Sequence, residues 1–217
     1  MAKKTTEELI KRYEEMQKRE LELIEEGKIL IAGVDEAGRG PLAGRVYAAA
    51  VILDKDVKIL GLDDSKKLSE KKREQLYDEI TQKAISWSVA YATESEIDEI
   101  NILNATHLAM RRAVEGLSVT PDYLIIDGNS IGEMPVPLET MVKGDANSVS
   151  VAAASILAKV SRDRYITELD SVYPEYGFRK HKGYGTKAHT DAILEYGVLP
   201  IHRMSFLKKL LGGKCDD

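Results

Sequence analysis

Two adjacent carboxylates, Asp35 and Glu36, follow an apolar run at residues 29–32 and precede a glycine-rich stretch with one arginine, Gly38-Arg39-Gly40-Pro41-Leu42-Ala43-Gly44. The apolar run reads as a buried strand, so the acids fall where a strand leaves the core. Neighbouring like charges repel, and a carboxylate beside a core is costly without a cationic counterpart. The pair therefore requires a fold in which a strand end meets a charged, ligand-accepting edge. A divalent metal supplies the missing charge, and hard oxygen ligands suit Mg²⁺ or Mn²⁺.

At 217 residues the chain fits one α/β domain with a small appendage. The one cysteine, Cys215, lies in a polar tail, so neither an internal disulfide nor a thiolate metal site is expected. No apolar stretch reaches membrane-span length and the charged N-terminus is unlike a signal peptide, so the expected location is cytoplasmic. A formal net charge of −5 argues weakly against a polyanionic partner. The distribution argues the other way. Residues 178–189 hold Arg179, Lys180, Lys182 and Lys187 with no acid, and residues 65–73 hold Lys66, Lys67, Lys71, Lys72 and Arg73 against Glu70. Such patches can steer a phosphate backbone although the total is negative.

The periodicity predicts one charged helix over residues 5–26, with capping-box spacing at Thr5 and Glu8, an apolar stripe of Leu9, Tyr13, Met16 and Leu21, and an end at Gly27. Its alternating charges read as a solvated helix lying on the domain. The main domain is expected from Lys28, with strands at 28–35, 46–53, 86–93, 123–127 and 138–142. Helices are expected at 69–83, 103–117, 149–169 and 186–196. Strands first, then alternating strand and helix, point to a mixed sheet with helices on its faces.

Asp127 resembles Asp35 in position, ending an apolar strand and followed by Gly128. In α/β sheets ligands collect beyond the carboxyl ends of strands, so two such acids can converge from distant sequence. Asp145, beside Gly144 and just before the long helix at 149–169, is a third candidate whose alternative role is complementing the helix N-terminus. No histidine–cysteine spacing forms a zinc site, and neither a nucleophile elbow nor a phosphate-binding P-loop is present. His107 fits packing or surface, whereas His181, His189 and His202 lie in basic surroundings compatible with phosphate.

Residues 33–44 resemble the signature of type 2 ribonuclease H, the ribonuclease HII family. So do Asp64-Ser65-Lys66-Lys67-Leu68, Asp127-Gly128, Lys143-Gly144-Asp145, residues 153–163 and His181-Lys182-Gly183-Tyr184-Gly185-Thr186, in the family's order from about Lys28 to Met204. The resemblance implies a ribonuclease H-like mixed sheet flanked by helices with a helical C-terminal region. It sets an N-terminal helix at 1–27, a catalytic domain at 28–204 and a tail at 205–217. It implies an endonuclease that hydrolyses the RNA strand of RNA–DNA hybrids and incises at ribonucleotides embedded in duplex DNA, leaving 5′-phosphate and 3′-hydroxyl ends. The four acids fall on Asp35, Glu36, Asp127 and Asp145, holding Mg²⁺ or Mn²⁺ for two-metal-ion catalysis. Gly38, Arg39 and Gly40 would contact the ribose 2′-hydroxyl through the backbone, and Tyr184 would stack on the sugar after the ribonucleotide. Lys66, Lys67, Ser161, Arg162 and Lys182 are candidates for phosphate contact, while Ser155 fits helix packing. The related ribonuclease HIII type carries lysine at the position of Arg39, glutamate as the fourth acid and a larger N-terminal domain. Nothing in the sequence demands more than a monomer.

Overall fold

The computed structural model describes residues 5–129 and 131–212, so Cys215 lies outside the described residues. Two helices, α1 (Thr6–Met16) and α2 (Lys18–Glu25), precede β1 (Ile31–Ala37) and β2 (Val46–Ile52). Then come α3 (Glu70–Lys83), β3 (Ser86–Ala92), α4 (Glu94–Glu115), β4 (Tyr123–Asp127), β5 (Leu138–Met141), α5 (Gly144–Asn147) and α6 (Val149–Val172). A short 3₁₀ turn (Pro174–Tyr176), α7 (Phe178–His181), α8 (Lys187–Tyr196) and α9 (Met204–Leu207) complete the described chain.

The sheet has the order β3-β2-β1-β4-β5. β1 and β2 are antiparallel, as are β2 and β3, whereas β4 runs parallel to both β1 and β5. Strand alternation divides the core into two layers. Ala49 and Val51 of β2 join Ala152, Ala153 and Ile156 of α6 and Leu76 and Ile80 of α3 on one face. Ala32 and Val34 of β1 and Ala48, Ala50 and Ile52 of β2 meet Ala105, Ala109 and Ala113 of α4 on the other.

Gly33 fixes the spacing of the first layer. A Cβ built on it would lie 2.0 Å from the Ser150 carbonyl carbon and 2.2 Å from the Val151 amide nitrogen. Backbone therefore lies on backbone, and the small residues 152–155 continue the close approach along α6.

Several boundaries differ from expectation. The N-terminal helix is broken at Gln17 and is no solvated appendage: Tyr13, Met16, Gln17, Glu20 and Leu23 are buried, while Leu21 is exposed. The break re-phases the apolar stripe onto Leu23, which packs with Ile31, Ile125 and Val151. β1 starts at Ile31 and extends to Ala37, because Asp122 caps the amides of Ile29 and Leu30 outside the ladder. α4 starts at Glu94, under a capping box of Thr93 and Glu96, and breaks at Asn101 (φ 66°). The Asn101 side chain then caps Leu103 and Asn104 and restarts the helix near its expected beginning. The expected tail at 205 is still packed: α9 covers Met204–Leu207, and Leu207 is buried with Ile193 and Phe178.

Gly33→Ala is expected to lower folding stability by about 3 kcal/mol, because neither backbone can yield locally. Thermal or urea unfolding checks this, and a loss below about 0.5 kcal/mol contradicts the close approach.

Candidate active site

β1 and β4 run side by side, with Val34 opposite Ile126. One residue further on, where the β1–β4 pairing ends, Asp35 and Asp127 lie on neighbouring strands, Asp35 still paired with Ala49 of β2 and Asp127 with Met141 of β5. Asp35 shares the α6 face with Gly33 and is 4% exposed. Its Oδ1 accepts from the Glu36 amide at 2.7 Å. Burial pushes the Asp35 carboxyl well above the usual range, Glu36 and Asp127 push it further, and the Ser155 hydroxyl offsets only part of this. Burial also raises Glu36, against the pull of Arg39, whose guanidinium lies 3.6 Å away.

Asp145 reaches the same edge from α5. Lys143 adopts a left-handed conformation that turns the chain from β5 into α5, and the Gly144 amide donates to Asp127 Oδ1 at 2.6 Å. Asp145 is buried, and desolvation, Asp127 and Asp64 raise its carboxyl. Lys66 is the cation nearest it, with Nζ 3.8 Å from Asp145 Oδ2. Desolvation draws Lys66 down, but Asp145, Asp35, Asp64 and Asp127 together outweigh it and raise its pKa. Among the described residues no three acidic, histidine or cysteine side chains close around one point as a finished ion cage. The four acids are electrostatic neighbours in a chain, their donor set is carboxylate oxygen throughout, and the exposed cations Arg39, Lys66 and Lys67 oppose them. That is the chemistry of a seat for hard divalent cations.

The loop after β1 is held from beneath. Arg203 is fully buried: its Nη2 donates to Gly38 O at 2.6 Å, its Nη1 to Arg39 O and Pro41 O at 3.0 and 2.9 Å, and its Nε to Gly44 O at 2.8 Å. Desolvation and neighbouring Arg162 lower its pKa to about 10, which leaves it charged at neutral pH. Gly38 takes φ +97°, and a Cβ there would lie 2.3 Å from Arg162 Nε. The Leu42 amide donates to Gly183 O at 2.8 Å, stapling this loop to the one carrying Tyr184. A Cβ on Gly40 would sit 3.4 Å from Tyr184 Cε1, so the half-exposed ring stands directly against the glycine turn. Glu36, residues 37–40, Ser65, Lys66, Ser155, Lys159 and Tyr184 line a depression of about 290 Å³. A neighbouring depression of about 380 Å³ shares Lys66 and adds Asp64, Lys67, Asp127, Lys143 and Asp145.

Not every expected contact residue faces this groove. Lys66 and Lys67 do, Lys67 with its Nζ 3.6 Å from Asp64. Arg162 is 1% exposed, its Nη2 donates to Lys182 O at 2.7 Å, and its Nε and Nη1 have no hydrogen-bond partner. It underlies the glycine loop and Tyr184 and is sealed from solvent, which corrects its assignment to a phosphate. Lys182 turns its Nζ to Thr167 Oγ1 at 2.9 Å, and Ser161 is half-buried on α6, outside both depressions. Of the three histidines in basic surroundings, His189 and His202 are buried, their Nε2 atoms 3.1 Å apart, and desolvation lowers both to about 4, while the half-buried His181 sets its Nε2 2.8 Å from Tyr176 O. His189 Nδ1 bonds Tyr184 O at 3.1 Å, so the cluster supports the tyrosine loop as a neutral core. Sequence reasoning missed Arg203, whose partners lie some 160 positions earlier. It read Ser155 as packing only, although Ser155 Oγ sits 2.9 Å from Ser65 Oγ beside Asp35. The i, i+2 spacing of Gly33 and Asp35 on one strand face was the signal that α6 must meet both.

The sequence matches the profile of the family described as Ribonuclease HII over residues 32–209. A Ribonuclease HII from Caldicellulosiruptor saccharolyticus is 57% identical over 189 residues, spanning 87% of this chain and 92% of that relative. The crystal structure of the ribonuclease H2 from Pyrococcus horikoshii OT3 superposes with a TM-score of 0.72 at 27% identity, over 87% of this chain and 100% of that one. Bst-RNase HIII, solved in complex with Mn²⁺, shares the fold with a TM-score of 0.65 at 18% identity, over 100% of this chain and 76% of that one. With its mixed sheet carrying the ribonuclease H-like fold, the chain belongs to the ribonuclease HII family and has ribonuclease H endonuclease activity.

Proposed function

We propose that this chain incises duplexes at ribonucleotides, both in RNA–DNA hybrids and at single ribonucleotides embedded in DNA, with Asp35, Glu36, Asp127 and Asp145 holding two divalent cations, Mg²⁺ or Mn²⁺. One observation carries this reading: four carboxylates converge on one sheet edge beside a backbone loop built on Gly38 and Gly40, with a tyrosine standing against that loop. Uncompensated buried carboxylates are unfavourable in the resting protein, and the donor set fits hard cations. A structural relative that shares only the fold was solved with Mn²⁺.

When bound, the cations activate water and stabilise charge developing on the phosphate. The protein's own part is to place and select. Asp35 and Asp127 come from adjacent strands, so their separation is set by the ladder. Glu36 is turned by Arg39, and Asp145 is carried by α5. Arg203 draws the carbonyls of residues 38–44 inward, and the absence of a Cβ at Gly40 leaves the loop edge open to a ribose 2′-hydroxyl. Tyr184 offers a flat apolar face to the following sugar. Lys66 and Lys67 offer exposed positive charge to the phosphates. Cleavage on the 5′ side of the phosphate leaves a 3′-hydroxyl and a 5′-phosphate.

Asp127→Asn is expected to lower turnover roughly 1,000-fold or more while the uncleaved hybrid still binds. Steady-state cleavage and a binding titration together check this, and undiminished turnover contradicts the acid's role. Tyr184→Ala is expected to slow incision at one embedded ribonucleotide about 10-fold, the scale of a lost aromatic stack, and to slow a long hybrid less. Equal losses on the two substrates contradict a junction role.

Because Asp35 has a raised folded-state pKa, the folded chain retains a proton that the unfolded chain has released. Metal-free stability is therefore lost as pH rises from the ordinary carboxylate range through that raised value. Asp35→Asn removes the loss, so the metal-free variant melts above the wild type at neutral pH. The gap closes toward about pH 4. A variant that melts lower at neutral pH contradicts the uncompensated burial.

A further inference from the structure

The passage from β5 through α5 to the start of α6 carries Asp145 and is gripped on its outer side by the N-terminal helix pair. From α1, Arg12 Nη2 donates to Ala146 O at 2.6 Å and to Asp63 Oδ1 at 3.2 Å. Ala146 is the residue after Asp145, so this bond anchors the Ala146–Asn147 peptide, one residue beyond the acid. From α2, buried Glu20 accepts at Oε1 from Ser148 Oγ at 2.5 Å, Ser150 Oγ at 2.7 Å and Ser150 N at 3.1 Å. A carboxylate at that position closes the amino end of α6 and holds the hinge residue between α5 and α6. Arg19, next to Glu20, makes a two-pronged pair with Glu139 of β5, both contacts at 2.8 Å. The three contacts bracket the Asp145 passage before, within and after α5.

α5 needs such bracketing. It is a single turn of four residues, entered through a left-handed lysine, and too short to hold its own orientation. Asp145 is also repelled by Asp127 and Asp64, with the exposed Lys66 and Lys67 as the cations that act against this.

We infer that Arg12 and Glu20 are positioning residues for Asp145: the N-terminal helix pair clamps α5 so that this carboxylate faces Asp127 in readiness for a divalent cation. This rests on the assignment of Asp145 as a metal ligand. Arg12 touches neither substrate nor metal and acts through the Ala146 carbonyl. Both bonds leave one nitrogen, Nη2, so a lysine ammonium, one bond shorter and with three donors of its own, substitutes in part.

The test is calorimetric titration of Mn²⁺ into the full-length substrate-free protein, alongside metal-free melting curves, for wild type, Arg12→Ala, Arg12→Lys, Glu20→Ala and Asp145→Asn. Arg12→Ala is expected to weaken Mn²⁺ binding roughly 10-fold, as loss of a support behind a ligand does, with a melting temperature close to wild type. Arg12→Lys should recover much of the affinity. Glu20→Ala, acting from the other side of the hinge, should weaken binding in the same direction and serves if Arg12→Ala does not fold. Unchanged Mn²⁺ affinity in folded Arg12→Ala and Glu20→Ala, with Asp145→Asn weakened, overturns the clamp alone. Unchanged affinity in Asp145→Asn overturns the metal assignment on which it rests.

Discussion

A close approach of two backbones, β1 on α6 at Gly33, sets the geometry on which the rest depends. Because no Cβ separates the strand from Ser150 and Val151, α6 lies low on the sheet, and the next residue on that face, Asp35, is buried beside Ser155. A larger residue at position 33 would lift α6, move its amino end and with it α5, and open the acids to water. The same contact thus governs the folded core and the separation of the carboxylates. It explains why alanines and a serine fill residues 152–155, where a helix normally carries larger apolar side chains.

Around that contact the chain concentrates unfavourable charge on both sides of one edge. Asp35, Glu36 and Asp145 are raised carboxyls in front, while Arg162 and Arg203 are buried guanidiniums behind the glycine loop, both with lowered pKa values. Arg203 is compensated by four carbonyls, whereas Arg162 Nε and Nη1 make no hydrogen bond and only Asp163 Oδ1, 3.8 Å from Nη1, offsets their charge. Groups that cost stability and cluster at one edge are the pattern of a site built for binding rather than for folding. The loops are over-determined in compensation: the Arg203 amide bonds Leu42 O, the Leu42 amide bonds Gly183 O, and the neutral His189–His202 pair supports Tyr184 O.

Local features of this architecture were legible in the sequence, and long-range ones were not. The acids Asp35 and Asp127 at the ends of apolar runs and the starts of the helices near 69 and 149 announce themselves within a few residues, although β1 runs on to Ala37. The first half of α4 was also readable, from the Thr93–Glu96 capping box, but its acidic composition masked the apolar spacing. The burial of α1 and α2 was hidden because alternating charges imitate a solvated helix. Glu20 and Arg19 look like surface residues until Ser148, Ser150 and Glu139 are brought to them from the far end of the chain. Arg162 misled for the opposite reason: a cation in a basic motif suggests phosphate, yet a long side chain can pass beneath a glycine loop and support it from inside. Which arginine binds outward and which inward is decided by tertiary contact, and no spacing rule carries that information.

The central claim is that these acids and the glycine loop together form one device that cuts where it senses a ribose. The most direct measurement is an end-mapped nicking assay on a DNA duplex carrying a single ribonucleotide, run with Mg²⁺, with Mn²⁺ and with chelator, beside the same duplex made wholly of DNA. The expected result is a metal-dependent nick at the ribonucleotide with 3′-hydroxyl and 5′-phosphate ends, and an intact all-DNA duplex. Incision that persists in chelator, or that falls equally on the all-DNA duplex, contradicts it.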